Sequence, residues 1–260
     1  MSALDLKGVC KTFGGLRAVH DVSFSVPEKC IFGLIGPNGA GKTTVFNLIT
    51  GVYKPDLGGA ISFRGTDVVA LRPSQIARVG VARTFQNIRL FGQLTVLENV
   101  LVACENKRKA HLGSALLRTP LFYRDEEEMT AHALDLLDIF DLGNMADEIS
   151  TSLSYGNQRR LEIARAMMLS PKLLLLDEPA AGMNPVETHE ITELIGKLRE
   201  ELGYTIFVIE HDMHLVEGIS DRVIALDHGI KIAEGSFDEV ATDPSVVEAY
   251  LGLRAEKEAS

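Results

Sequence analysis

Four short apolar runs that close on glycine or on polar residues punctuate the chain: 30–36 (CIFGLIG), 172–178 (KLLLLDE), 204–212 (YTIFVIEHD) and 222–229 (RVIALDHG). Their apolar character is continuous rather than alternating, which suits strands buried on both faces of a sheet. Helices are expected at 42–50, 158–169 and 185–202. Strands that alternate with helices imply an α/β core with a largely parallel sheet. Near the N-terminus, 4–13 (LDLKGVCKTF) and 22–29 (VSFSVPEK) read as antiparallel strands joined by 14–21 (GGLRAVHD), and 60–68 (AISFRGTDV) as one further strand. A small β-region should therefore flank the core.

The middle of the chain follows a different period. Within 125–142, Met129, Ala133, Leu136, Leu137 and Phe140 share one helical face, after an acidic first turn that suits the helix dipole. The pattern predicts one domain over 1–260: an α/β core from 1–86 and 158–260, interrupted by a helical subdomain at 87–157. No internal repeat or low-complexity linker interrupts it, and the charged tail 253–260 should fray.

Composition narrows the class. With 260 residues, 46% of them hydrophobic, the chain can bury a sizeable core. No apolar run approaches the ~20 residues needed to span a bilayer, and the first residues, MSALDLKGV, do not read as a secretory signal. Cys10, Cys30 and Cys104 are far apart and lack zinc-ligand spacing, so they read as ordinary thiols of a reducing compartment. The net charge of -10 points away from nucleic acid as a partner.

The chemistry starts at 36–43, GPNGAGKT, which fits the phosphate-loop pattern and lies between a predicted strand and a predicted helix. Its glycines let backbone N–H groups face phosphates, Lys42 can reach the β- and γ-phosphates, and the Thr43 hydroxyl can ligate magnesium. Asp177 closes a predicted buried strand, the place from which such sites hold magnesium. Glu178 follows it and can polarise a water for attack on the γ-phosphate. His211 lies just past another apolar run, on a strand expected beside that of Asp177. Gln86 lies where the core meets the insert; by itself it reads as a solvated loop residue. The stretch 153–167 (LSYGNQRRLEIARAM) supports two readings. Ser154 can simply cap an amphipathic helix, or Ser154 and Gly156 can hold a phosphate at that helix's N-terminus.

Together these pieces resemble the ATP-binding cassette family, the nucleotide-binding subunits of ABC transporters, over essentially the whole chain and in the family's order. The resemblance implies a RecA-like P-loop NTPase fold of the ABC ATPase type, with an antiparallel β-subdomain and an inserted helical subdomain. It implies ATP and Mg2+ as cofactors. Phe13 would stack on adenine, and Gly36, Pro37, Asn38, Gly39, Ala40, Gly41, Lys42, Thr43 and Thr44 would surround the phosphates. Thr43, Gln86 and Asp177 would serve the metal, and Glu178, His211 and Gln86 the hydrolysis. Two such domains pair head to tail in the family, so Ser154 and Gly156 would cap the γ-phosphate bound by the partner subunit. Two departures stand out: the signature, usually LSGGQ, is Leu-Ser-Tyr-Gly-Asn here, and the loop 181–184 ends on Asn184 where the family has Asp.

Within the family, 83–103, 153–167, the DEPAAGMNP stretch and the VVEAYLG stretch at 246–252 resemble the larger ATPase subunit of bacterial branched-chain amino-acid importers. That likeness implies membrane permease subunits, a second ABC ATPase subunit and, indirectly, a periplasmic substrate-binding protein. It implies a peripheral position on the cytoplasmic face of the inner membrane. Importers of urea, short-chain amides and other amino acids use similar subunits, as do lipopolysaccharide exporters. Ribosome- or DNA-directed relatives carry tandem cassettes or a long coiled coil, which this chain lacks. A P-loop phosphotransferase would have no signature stretch. The segment 106–124 either touches the permease or lipid headgroups or forms a solvated hairpin with an apolar side on its own subdomain.

Overall fold

The computed structural model describes residues 2–103 and 120–251. Cys104, residues 106–119 with the whole basic stretch 106–111, Gly252 and the tail 253–260 lie outside the described residues. The chain forms two compact units, Met1–Arg83 with Lys172–Ser260, and Thr84–Pro171.

In the first unit the apolar runs are strands: β3 (Ile31–Ile35), β7 (Leu173–Asp177), β8 (Thr205–Ile209) and β9 (Arg222–Asp227). With β6 (Val81–Arg83) and β10 (Ile230–Gly235) they make a 6-stranded sheet ordered β10-β9-β3-β8-β7-β6. All its pairings are parallel except the β9–β10 hairpin. Each face has its own core. Phe32 and Leu34 of β3, with Ile224 and Leu226 of β9, pack into a cluster that holds Phe24, Phe46 and Phe207. Ile35, Val223 and Ala225 point the other way, into a cluster with Val216, Val240 and Val246. This period-2 alternation between two apolar faces is why the runs show no polar interruption.

The second sheet is antiparallel, in the order β2-β1-β4-β5, with β1 (Ser2–Phe13), β2 (Leu16–Pro27), β4 (Ala60–Phe63) and β5 (Thr66–Asp67). Two expectations are corrected here. Residues 14–21 are not a connection: the turn is Gly14–Gly15 alone, and β2 starts at Leu16. Register shifts along β1 break the simple alternation that would have marked the pairing. The stretch 60–68 is two strands, split at Arg64 and Gly65, whose positive φ values of 48° and 78° make a tight hairpin turn.

Helices α1 (Lys42–Ile49), α2 (Pro73–Val79), α6 (Pro185–Glu200), α7 (Met213–Ile219), α8 (Phe237–Ala241) and α9 (Pro244–Leu251) complete this unit. The second unit contains α3 (Val96–Leu101), α4 (Pro120–Ile139) and α5 (Tyr155–Met167), packed on one another. Ala133, Leu136 and Leu137 of α4 are buried, as is Phe140 just past its end, whereas Met129 is half-buried. Helix α5 starts three residues before the sequence pattern placed it, because Ser154 caps it. The pattern ends the insert at 157; the packing of this unit continues through α5. No helix among the described residues is long and apolar enough to cross a membrane.

Phe207 is fully buried and meets Phe24, Phe32 and Phe46 with ring centroids 5.0–5.6 Å away. Phe207→Ala should lower the unfolding free energy by about 3–5 kcal/mol, from lost transfer energy and the cavity left behind. Urea unfolding checks this; a loss below about 1 kcal/mol would contradict the packing described.

Candidate functional site

Strand β3 ends at Ile35, and the chain turns through 36–41 into α1. The turn needs glycine at two points for steric reasons. Gly36 has φ 148°, and a Cβ there would run into the Leu226 carbonyl oxygen. At Gly41, φ is 98° and a Cβ would lie 2.5 Å from the Ala18 carbonyl oxygen. The loop is thus pressed between β9 and β2. Ala40 and Lys42 are buried, while Asn38, Gly39 and Thr43 are exposed and Pro37 and Thr44 are half-exposed. No side chain caps α1 and its first turn carries no acid. Its leading N–H groups and partial positive charge suit an anion.

Lys42 Nζ donates to the carbonyl oxygens of Gly36 at 2.6 Å and Pro37 at 3.1 Å. Burial pulls its pKa below 10.5, and the carboxylates of Glu178 and Asp177 oppose that shift. The ammonium therefore sits in the field of both acids that the sequence picked out. Asp177 closes β7 and is paired with Arg83 at 2.7 Å, with both side chains buried. Arg83 also donates to Asn47 Oδ1 on α1 at 2.7 Å and lies 5.6 Å from the Phe46 ring centroid. Glu178 has φ 49°, an uncommon conformation for a residue with a Cβ.

The expected adjacency of strands holds: Asp177 pairs with Ile209 in register, and His211 lies two residues past it. The His211 side chain is 60% exposed. Glu210, just before it, is buried, with one oxygen accepting from Ala180 N–H at 3.0 Å. Its other oxygen accepts from the N–H groups of His211 at 3.0 Å and Asp212 at 3.4 Å. Burial pushes its pKa up and these donations pull it down. Phe13 ends β1 and meets Tyr53 edge-on, with centroids 4.9 Å apart. Both rings are partly exposed, which leaves aromatic surface on which a flat ring can stack.

Thus Gly36–Thr44, Phe13, Asp177, Glu178 and His211 belong to the first unit, whereas Gln86, Ser154 and Gly156 belong to the second. In that second unit Ser154 Oγ accepts from Asn157 N–H at 3.3 Å, and Gly156 is buried in the first turn of α5. Arg159, fully buried one turn on, pairs with Glu162 at 2.8 Å. Its guanidinium also donates to the carbonyl oxygens of Phe85 at 2.7 Å and Gln86 at 2.8 Å. Burial raises the Glu162 pKa, and Arg159 opposes it. The backbone of Gln86 is therefore held by the helix that Ser154 caps.

Sequence reasoning missed Arg83, Glu210, Tyr53 and the Arg159–Glu162 pair. The last had a local signal, opposite charges at i and i+3 on an otherwise apolar helix face. The others are paired through tertiary contacts.

A family model described as ABC transporter matches residues 19–181, and one described as Branched-chain amino acid ATP-binding cassette transporter matches 231–256. The chain is 50% identical over 249 residues to the high-affinity branched-chain amino acid transport ATP-binding protein LivG of Salmonella typhimurium, covering 96% of this chain and 97% of that one. It is 47% identical over 249 residues to the corresponding protein BraF of Pseudomonas aeruginosa, at the same coverage. Among solved structures, the ADP conformation of an ATP-binding cassette of an ABC transporter superposes with a TM-score of 0.84 at 34% identity, covering 97% of this chain and 99% of that one.

The state of Glu210 makes a stability prediction. Its folded pKa lies above the ordinary 4.5, so the folded chain keeps the proton to higher pH than the unfolded chain does. Stability contributed by this group is complete below 4.5 and is lost as pH rises through the raised value. In Glu210→Gln that slope should vanish. Denaturant unfolding from pH 4.5 upward checks it; parallel pH slopes in both proteins would contradict the assignment.

Proposed function

The chain belongs to the ABC transporter family, and on that premise we propose that it hydrolyses ATP to drive import of branched-chain amino acids. The observation that carries the chemistry is the buried Lys42 ammonium, held by the carbonyls of Gly36 and Pro37 in the field of Glu178 and Asp177, beside the uncapped start of α1. The likeness to LivG and BraF over nearly the full length of each chain supports the choice of solute.

The phosphates of ATP lie against backbone N–H groups of 38–44, with Lys42 supplying positive charge to the β- and γ-phosphates. Phe13, beside Tyr53, offers its face to adenine. Glu178 orients a water and takes its proton as the water oxygen bonds to the γ-phosphorus and the bond to the ADP oxygen breaks. His211, held by the backbone that Glu210 pins, contacts the γ-phosphate or that water; Gln86, on the second unit, is the further candidate for the hydrolysis. The Thr43 hydroxyl, the Asp177 carboxylate and the Gln86 side chain are hard oxygen donors that suit Mg2+. When bound, that ion neutralises phosphate charge. Ser154 and Gly156 act on the nucleotide of a second ABC subunit, offering the N-terminus of α5 as an anion site. ATP then holds the pair together and hydrolysis releases it, which biases membrane permease subunits between two states. A periplasmic binding protein delivers the solute, and the chain sits on the cytoplasmic face of the inner membrane.

Lys42→Ala should lose ATP binding, as read by a fluorescent nucleotide; tight binding by that variant would contradict the phosphate loop. Glu178→Gln should bind ATP, hydrolyse it at least about 100-fold more slowly, and accumulate as a dimer on size exclusion. Near-normal phosphate release would remove Glu178 as the base. For the solute, cells lacking this chain should lose uptake of labelled leucine, regain it with the intact chain and not with Glu178→Gln. Unchanged leucine uptake would sink the choice of solute and leave the ATPase standing.

A further inference from the structure

The phosphate loop has a support that lies far from it in sequence. The ladder of β3 ends at Leu34–Ile209 on one side and at Ile35–Ala225 on the other. Gly36 comes next and is buried. Its N–H donates to the phenol oxygen of Tyr250 at 2.9 Å, across 214 positions of sequence. Its carbonyl oxygen accepts from Lys42 Nζ at 2.6 Å. Gly36 is therefore held at both ends, by a tyrosine on one side and by the ammonium of the phosphate loop on the other.

Tyr250 is not a loose tail residue. It sits on α9, one turn past Val246, which packs in the same apolar cluster as Ile35. Ala249 is buried too. The helix is thus anchored beside the last residue of β3, and Tyr250 reaches the residue after it. Tyr250 is partly exposed, but its phenol oxygen meets the buried Gly36; desolvation raises the phenol pKa and the Gly36 N–H opposes that shift. A buried backbone N–H without a partner is disfavoured, so loss of this one oxygen would force the loop to move or leave Gly36 unpaired. Movement of the loop would displace the carbonyl that holds Lys42.

We infer that Tyr250 is a positioning residue for nucleotide: α9 sets the start of the phosphate loop from outside it, which makes the C-terminal helix a working part of the ATP site. The inference rests on reading 36–43 as the phosphate loop. Tyr250→Phe in the full chain tests it, because the change removes a single oxygen and keeps the ring. Hydrogen exchange of the Gly36 amide, measured without nucleotide, should quicken. The Kd for a fluorescent ATP analogue should rise about tenfold, equivalent to about 1.4 kcal/mol. The KM for ATP should rise in step while kcat stays within about twofold, a split that a general loss of structure would not give. Unchanged exchange would overturn the inference. So would faster exchange with an unchanged Kd, since the contact would then have no bearing on ATP. If the unaltered chain binds no ATP, the nucleotide reading fails and takes this inference with it, while the exchange measurement still reports whether Tyr250 holds Gly36.

Discussion

One register organises the first unit: the parallel pairing that sets Leu34 beside Ile209 and Ile209 beside Asp177. The strands involved are apolar on both faces, so polar chemistry can begin only where they end. They end at one level, and Gly36, Glu210 and Glu178 follow within one or two residues of the paired positions. Two further backbone bonds carry the register into the loops, from Glu178 N–H to Ile209 O at 2.9 Å and from Glu210 N–H to Leu34 O at 3.4 Å. A slip of one residue would turn each strand's side chains to the opposite face and separate these groups. The site is thus the carboxyl edge of the sheet, where α/β folds place their ligands.

Each unit of the chain buries charge, and the pattern of burial has a common logic. Arg83 with Asp177, Arg159 with Glu162, and Glu210 are all withdrawn from water. Desolvation offsets much of what such groups gain, so they are weak sources of stability. Each, however, holds something an apolar side chain could not. Glu210 joins the N–H of Ala180, after the Asp177–Glu178 pair, to those of His211 and Asp212. Arg159 grips the carbonyls of Phe85 and Gln86 from the helix that Ser154 caps. Arg83 ties β6 and β7 to α1 through Asp177 and Asn47. The buried charges are braces between segments that carry candidate site residues.

This explains what was legible in the sequence. Features that follow from local pattern were legible: the apolar runs are strands, the glycines and Lys42 stand where β3 turns into α1, and Asp177 closes β7. The fold class followed from the alternation of those runs with helical stretches. The braces were not found, because what each holds lies far off in sequence: Asn47 and Asp177 for Arg83, Phe85 and Gln86 for Arg159, Ala180 for Glu210. Tyr250 is the extreme case, 214 positions from the amide it accepts from. The β1–β2 hairpin was misread for a related reason. Bulges interrupt its period, and Arg17, His20 and Asp21 disguise a strand that is buried at Val19 and Val22.

The two departures from the family pattern fall where local chemistry absorbs them. Asn184 caps α6, its side-chain oxygen accepting from the N–H groups of Val186 at 2.9 Å and Glu187 at 3.1 Å. Aspartate would cap in the same way, so the exchange keeps the local backbone and removes one charge. In the signature, Tyr155 takes the place of a glycine at the first position of α5 and is partly exposed, while Gly156 remains buried. The two readings of Ser154 are also compatible. Capping uses a lone pair of the hydroxyl oxygen, toward Asn157 N–H. A hydroxyl has a second lone pair and a proton to donate. The interaction that begins the helix therefore does not consume the group that would meet a phosphate, and it fixes the direction in which that group is presented.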